Sequence, residues 1–137
     1  MTAKQRIRKI LFNLLFDPTE HNARIDTMFR DRITIGRNLI AAPGSVILAH
    51  DAALVNKTGQ HRVENTTIGD NVYIGVNAVI LPGARIGNNA IIGAGSVVNG
   101  RVPDNMVASG NPARVLYPVE TYRHFCELRK LLIKIKP

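Results

Sequence analysis

A period of six residues governs the centre of this chain and restricts what it can fold into more than any other feature. Read in sixes, the sequence runs Ile35-Gly-Arg-Asn-Leu-Ile, Ala41-Ala-Pro-Gly-Ser-Val and Ile47-Leu-Ala-His-Asp-Ala. After a break it resumes at Ile68, Ile74, Ile80, Ile86, Ile92 and Val98. Eight of the nine first positions are Ile or Val, although those two types supply only 27 of the 137 residues. The fourth position is Asn or Gly in seven of nine hexads, the residue types that accept a left-handed backbone at a corner. The fifth is mostly Ala, Ser, Val or Leu, small enough to share an interior with the Ile of the first. A helix does not tolerate Gly or Asn at fixed sixfold spacing. Short strands joined by tight corners do, and a β-branched residue turned inward every six positions describes an all-β solenoid with a narrow apolar core.

Three hexads make one coil of 18 residues, so the pattern predicts coils over 35–52, 68–85 and 86–103. Residues 53–67 lack the pattern and read as a loop thrown out of the solenoid, of the kind that commonly carries function. Three segments are expected: an N-terminal amphipathic helical segment over 1–32, the repeat region over 33–116, and a C-terminal helix within 117–137. Ile7, Ile10, Leu11, Leu14 and Leu15 share one helical face near the N-terminus. Phe125, Leu128, Leu131, Leu132 and Ile135 provide the apolar residues of a second helix running from Val119 to Ile135. Their expected role is to cover the open ends of the coil, where strand edges are otherwise unpaired.

Charge narrows the function classes. The net charge of +8 belongs to the two ends: residues 1–37 carry 8 basic and 4 acidic side chains, 38–111 carry 4 and 4, and 112–137 carry 6 and 2. With a neutral middle, 5% aromatics and no Trp, nucleic acid is not the expected partner. A small polyanion or an anionic membrane surface fits, the latter through peripheral contact by residues 4–16. No apolar run reaches the length of about 18 residues that a membrane-spanning helix requires. The single Cys126 excludes an intrachain disulfide and suggests a reducing, cytoplasmic setting. His21, His50, His61 and His124 are scattered without ligand spacing, so no metal site is expected.

The hexads, with Asn71-Val-Tyr-Ile-Gly75, Ile80-Leu-Pro-Gly83, Ile92-Gly-Ala-Gly-Ser-Val97 and Ser109-Gly-Asn-Pro-Ala-Arg-Val115, resemble the hexapeptide-repeat acyltransferases. The resemblance is to the maltose and galactoside O-acetyltransferase group and its relatives that acetylate polysaccharides, and it spans about residues 33 to 116. It implies a left-handed parallel β-helix, a homotrimer with active sites between subunits, and acetyl-CoA as acyl donor. The activity implied is transfer of an acetyl group to a sugar hydroxyl in polysaccharide or glycoconjugate biosynthesis. Alternatives on the same fold are an amino-sugar, serine or antibiotic acetyltransferase, and a non-catalytic β-helix scaffold.

His50 occupies a fourth-position corner where Asn or Gly is the rule, immediately ahead of the loop. The resemblance makes it the general base that deprotonates the acceptor, a task imidazole suits because it titrates near working pH. Asp51 breaks the fifth-position rule beside it; it orients the imidazole, binds the acceptor, or turns outward as the coil ends. The resemblance places Tyr73, Gly75, Val76, Gly93 and Ala94 against the thioester and pantetheine, with a backbone N–H near Val76 at the developing oxyanion. It places Arg114 at the nucleotide end. Where the family usually has Thr-Lys-Asp this chain has Asn99-Gly100-Arg101, and Arg101 supplies the charge one residue later.

Overall fold

The structure is a computed structural model and describes residues 1–7 and 22–134. Residues 3–7 are helical. β1 (Arg24–Ile25) leads into a first full coil of β2 (Ile33–Ile35), β3 (Ile40–Ala41) and β4 (Val46–Ile47), after which β5 (His50–Asp51) leaves the stack. A short helix, α1 (Val55–Thr58), and β6 (Arg62–Val63) follow before the coil resumes with β7 (Thr66–Ile68), β8 (Tyr73–Ile74) and β9 (Val79–Ile80). Then come β10 (Arg85–Ile86), β11 (Ile91–Ile92), β12 (Val97–Val98) and β13 (Arg101–Val102). The chain closes with β14 (Met106–Gly110), β15 (Ala113–Pro118) and the helix α2 (Val119–Leu128).

Leaving aside the β5–β6 excursion and the antiparallel β15, every third strand stacks in parallel on the one before, so the chain coils around three sheets. Their orders are β1-β4-β9-β12, β2-β7-β10-β13 and β3-β8-β11-β14-β15. The hexad residues fill the space between the sheets as the pattern predicts. Ile47, Ile68, Ile74, Ile80 and Ile92 are fully buried, and so are the fifth-position Ser45, Val72, Ala78, Ala84, Ala90 and Ser96. Each buried Ile contributes about 1.5–3 kcal/mol relative to exposure.

The corners turn on left-handed residues. Asn38, Asn71, Asn77 and Asn89 have φ of 56–58°, and Gly44, Gly83 and Gly95 have φ of 67–87°. One edge of the coil carries two side-chain ladders. Asn38 Nδ2 donates to Asn71 Oδ1 (2.9 Å), Asn71 to Asn89 (3.4 Å) and Asn89 to Asn105 (2.9 Å). Beside them Asp70, Asn88 and Asp104 each accept, at 2.8 Å, the backbone N–H of the residue one coil earlier: Arg37, Asp70 and Asn88 respectively.

In four places the structure differs from the sequence reading. The coil begins before residue 33, since β1 pairs with β4 through Arg24↔Val46 and Ile25↔Ile47. The loop is not wholly irregular: β6 returns antiparallel to β5 with His50 opposite Val63, and β7 starts at Thr66. The last coil has 16 residues rather than 18, because Arg85 pairs with Arg101 and Ile86 with Val102. Its corner is made by Gly100, at φ 118°, one position earlier than the hexad rule places it, so Val102 rather than residue 104 stands next to Ile86.

The fourth difference is at the C-terminus. Helix α2 stops at Leu128 because Lys130 takes a left-handed φ of 53° and the Leu131 N–H turns back to the Cys126 carbonyl at 2.9 Å, a Schellman-like end. Ile135 lies outside the described residues. Of the helix only Cys126 is buried, while Phe125, Leu128, Leu131 and Leu132 are exposed, so this apolar stripe does not seal the coil within one chain. The edge of β14 is covered instead by β15, which folds back antiparallel along it. The expected N-terminal stripe falls mostly on residues 8–21, outside the described set.

The ladder and the corner conformation make separable contributions. Asn89→Gly is expected to lose only the side-chain bonds, whereas Asn89→Ala also bears the left-handed penalty and should be less stable than the glycine variant by about 1–2 kcal/mol. Urea unfolding of the two variants measures the difference.

Candidate active site

His50 departs from the corner rule in conformation as well as in type: it lies in β5 rather than in the left-handed region. Extended backbone at this point sends the chain out of the coil and presents the imidazole at the edge, with its side chain 21% exposed. The ring is held from behind. His50 Nδ1 donates to Asp26 Oδ2, and the Asp26 side chain is only 1% exposed. Asp26 also accepts the N–H of Ala49 at 3.1 Å on Oδ2, and those of Met28 and Phe29 at 3.1 and 3.2 Å on Oδ1. Burial alone would raise its pKa. The hydrogen bonds from His50, Ala49 and Phe29 outweigh that and hold the carboxyl at about 2, against an ordinary 3.8. An ionised carboxylate only accepts, so Nδ1 carries the proton and Nε2 of the neutral ring keeps the free lone pair. This is the arrangement of an oriented general base.

Asp26 was not reached by sequence reasoning. It stands outside the hexads, and its approach to His50 depends on β1 stacking over β4. Asp51 is not the partner of His50. Its carboxylate, 41% exposed, accepts the Ala53 N–H at 2.7 Å and lies 3.8 Å from Arg62. Successive side chains of a strand point to opposite sides, so the residue after His50 faces away from the ring.

Two cavities accompany these elements. One, of about 300 Å³, lies beside His50 and is lined by Arg24, Asp26, Met28, Val46 and Leu48. The larger, of about 510 Å³, is a groove on the sheet containing β8, β11, β14 and β15; Tyr73, Gly93, Ala94, Ser109, Tyr117 and Tyr122 line it. The structure therefore gathers Tyr73, Gly93 and Ala94 in one groove. Arg114 stands beside it, opposite Ser109 in the β14–β15 register. Ser109, Tyr117 and Tyr122 were not predicted, and the Ser109–Arg114 hairpin motif was the signal that pointed to this edge.

The glycines of this region are required by stacking. A Cβ on Gly75 would lie 2.5 Å from the Ala94 amide nitrogen, and one on Gly93 would lie 2.5 Å from Ser109 Oγ. Val76 has an exposed side chain, and its carbonyl accepts the Gly95 N–H at 2.8 Å. Asn99, Gly100 and Arg101 sit on a different edge, the one that carries His50, two coils away and therefore about 10 Å along the stack. Arg101 lies next to Arg85 in register, and among the described residues neither makes an ion pair. Among those residues no group of three His, Cys, Asp or Glu side chains is placed to hold a metal ion. In one chain, then, the His50 edge and the Tyr73 groove are not brought together.

A triangular coil of hexads with an imidazole–carboxylate pair at one edge defines a class, and comparison with known proteins agrees with it. The family described as "Bacterial transferase hexapeptide (six repeats)" matches residues 65–100. Galactoside O-acetyltransferase of Escherichia coli (strain K12) is 41% identical over 87 residues, 61% of this chain and 43% of that protein. The crystal structure of a maltose O-acetyltransferase from Clostridium difficile 630 is 31% identical and superposes with a TM-score of 0.58 over 86% of this chain and 78% of its own. A galactoside acetyltransferase in complex with coenzyme A is 27% identical, with a TM-score of 0.60 over 90% of this chain and 76% of its own. The chain belongs to the hexapeptide-repeat transferase family. It spans about half the length of the curated relatives it matches.

The Asp26 carboxyl sets an acid limit on stability. Its folded pKa is below its unfolded one, so its contribution is complete above pH 3.8 and is lost as pH falls through about 2. Asp26→Asn is expected to flatten the fall in stability between pH 4 and 2, which acid titrations of thermal unfolding for the two proteins record.

Proposed function

We propose that this chain is an acetyl-CoA-dependent O-acetyltransferase that acts on a sugar hydroxyl in polysaccharide or glycoconjugate biosynthesis. The observation that carries the reading is the His50–Asp26 pair, an imidazole with one nitrogen fixed by a buried carboxylate and the other left to the edge of the coil. Bound acetyl-CoA supplies the acetyl group as an activated thioester. Nε2 of His50 takes the proton of the acceptor hydroxyl as that oxygen attacks the carbonyl carbon. Asp26 stabilises the imidazolium so formed, and the ring returns the proton to the departing sulfur. No covalent enzyme intermediate is needed, and Cys126, buried in α2, takes no part; a reducing, cytoplasmic setting belongs to the same reading.

The groove over Tyr73, Gly93 and Ala94, about 510 Å³ in volume and walled by Ile91, Val107 and Leu116, takes the pantetheine arm. Arg114, paired in register with the groove residue Ser109, offers a guanidinium to phosphate. Arg101 and Arg85, stacked and without ion pairs among the described residues, provide a second cationic point that replaces the usual family lysine. Because the groove and His50 occupy different parts of one chain, the reading includes a left-handed coil assembled as a homotrimer, with one subunit's groove facing the next subunit's His50. Exposed Ile40, Val76, Val115, Leu116 and Tyr117 supply apolar surface for such contacts. No described helix is long and apolar enough to cross a membrane. Peripheral contact through residues 4–16 is compatible with this reading.

Calorimetric titration with acetyl-CoA, and with desulfo-CoA as a thioester-free control, tests the donor. Saturable binding near one site per chain is expected, and a folded protein that binds neither is a scaffold instead. His50→Ala should keep acetyl-CoA affinity and lose transfer by about 10²–10⁴-fold; unchanged turnover would remove His50 from the chemistry.

A further inference from the structure

Two more rings pack against His50. Phe29 lies with its ring centroid 5.1 Å from that of His50, His61 lies 5.3 Å from His50, and Phe29 and His61 are 6.0 Å apart. At these separations all three rings are in contact. Each of the two outer rings is brought there by a specific device. Phe29 is fixed through its backbone, whose N–H donates to the same Asp26 carboxylate that holds His50. His61 is carried by the loop: α1 ends on Gly59 with φ 69°, which reverses the chain, and β6 then pairs with β5 so that Val63 stands opposite His50 and His61 two residues before it. Phe29 is half-buried, packed on one side against the apolar core, and His61 is exposed.

We propose that Phe29 and His61 form the acceptor platform of this enzyme: the pyranose ring stacks its C–H face on Phe29, and His61 hydrogen-bonds a hydroxyl other than the one being acetylated. The inference rests on the transferase reading above and gives it a specificity element. A sugar carries polarised C–H bonds on one face, which complement the negative face of an aromatic ring, and hydroxyls at its rim, which need a partner with both donor and acceptor capacity. Nδ1 of His50 is committed to Asp26, so the reacting hydroxyl must reach Nε2 of a ring against which Phe29 and His61 both pack. An acyclic polyol lacks the flat C–H face and gains less from Phe29.

The test measures acetyl transfer from acetyl-CoA to methyl β-D-galactopyranoside, methyl α-D-glucopyranoside and glycerol by the full chain and its variants. The unsubstituted protein is expected to prefer a pyranoside to glycerol. Phe29→Leu, which keeps an apolar side chain but removes the ring, and His61→Ala should each raise the pyranoside KM by about tenfold or more with no change in KM for acetyl-CoA. Phe29→Tyr should restore the preference. Pyranoside kinetics unchanged in both Phe29→Leu and His61→Ala, in a protein whose transfer is abolished by His50→Ala, would overturn the platform and leave the transferase reading standing. Failure of the unsubstituted protein to acetylate any of the acceptors while binding acetyl-CoA would overturn the sugar acceptor and the platform together.

Discussion

Each coil of this molecule can lie on the next only if the chain turns at the same place every time, and the residue that makes the turn must take a positive φ. Asparagine meets that demand at low steric cost and adds a second interaction, since the side chain at Asn71 or Asn89 bonds to its counterpart one coil on. The backbone requirement and the inter-coil bond are thereby met by one residue. Fixed corners fix the strand register, and the register puts Ile on Ile down the interior. Glycine at the corresponding second positions lets neighbouring coils approach to the strand spacing, as the Gly75 and Ala94 backbones show. The narrow core follows from the corners more than the corners follow from the core.

The same constraint explains why the candidate catalytic edge lies where it does. His50 takes extended backbone at a corner where Asn or Gly turns elsewhere, so the coil opens at His50, the chain leaves, and an edge position is freed from packing duty. The vacated corner is rebuilt from other parts of the chain. Asp26 arrives from the strand above, its carboxylate accepts three backbone N–H groups in addition to the imidazole, and Thr66 re-enters below with its hydroxyl on the Leu48 carbonyl at 2.6 Å.

What the sequence made legible was periodic. The inward Ile positions, the small fifth positions and the left-handed Asn and Gly corners recur at fixed spacing, and each is found in the structure. What it concealed was singular. Asp26 is one acidic residue in a segment read as helical, and only the β1–β4 pairing, 22 positions apart, brings it to His50. Orienting the imidazole was one of three roles open to Asp51 because it is adjacent in sequence, but adjacency along a strand means opposite sides. The 16-residue last coil was signalled by Arg101 in a corner position with Gly100 just before it, a hint that the hexad register alone overrides. Tyr117 and Tyr122 belong to segments outside the repeats, and their convergence with Tyr73 depends on the fold-back of β15.

Ile35 and Ile68 are stacked neighbours although 33 positions separate them, fifteen more than in a regular coil. The excess is absorbed by α1 and β6 without displacing a single core side chain from its column. Closing a longer excursion at this point is cheap, since doubling such a loop adds only about 0.6 kcal/mol of closure entropy. The architecture thus separates what stays nearly constant from what is free to vary: coil length changes by only two residues at the last turn, while the outlet beside His50 takes fifteen extra. Diversification of such proteins is expected to proceed by exchanging outlets on an unchanged stack.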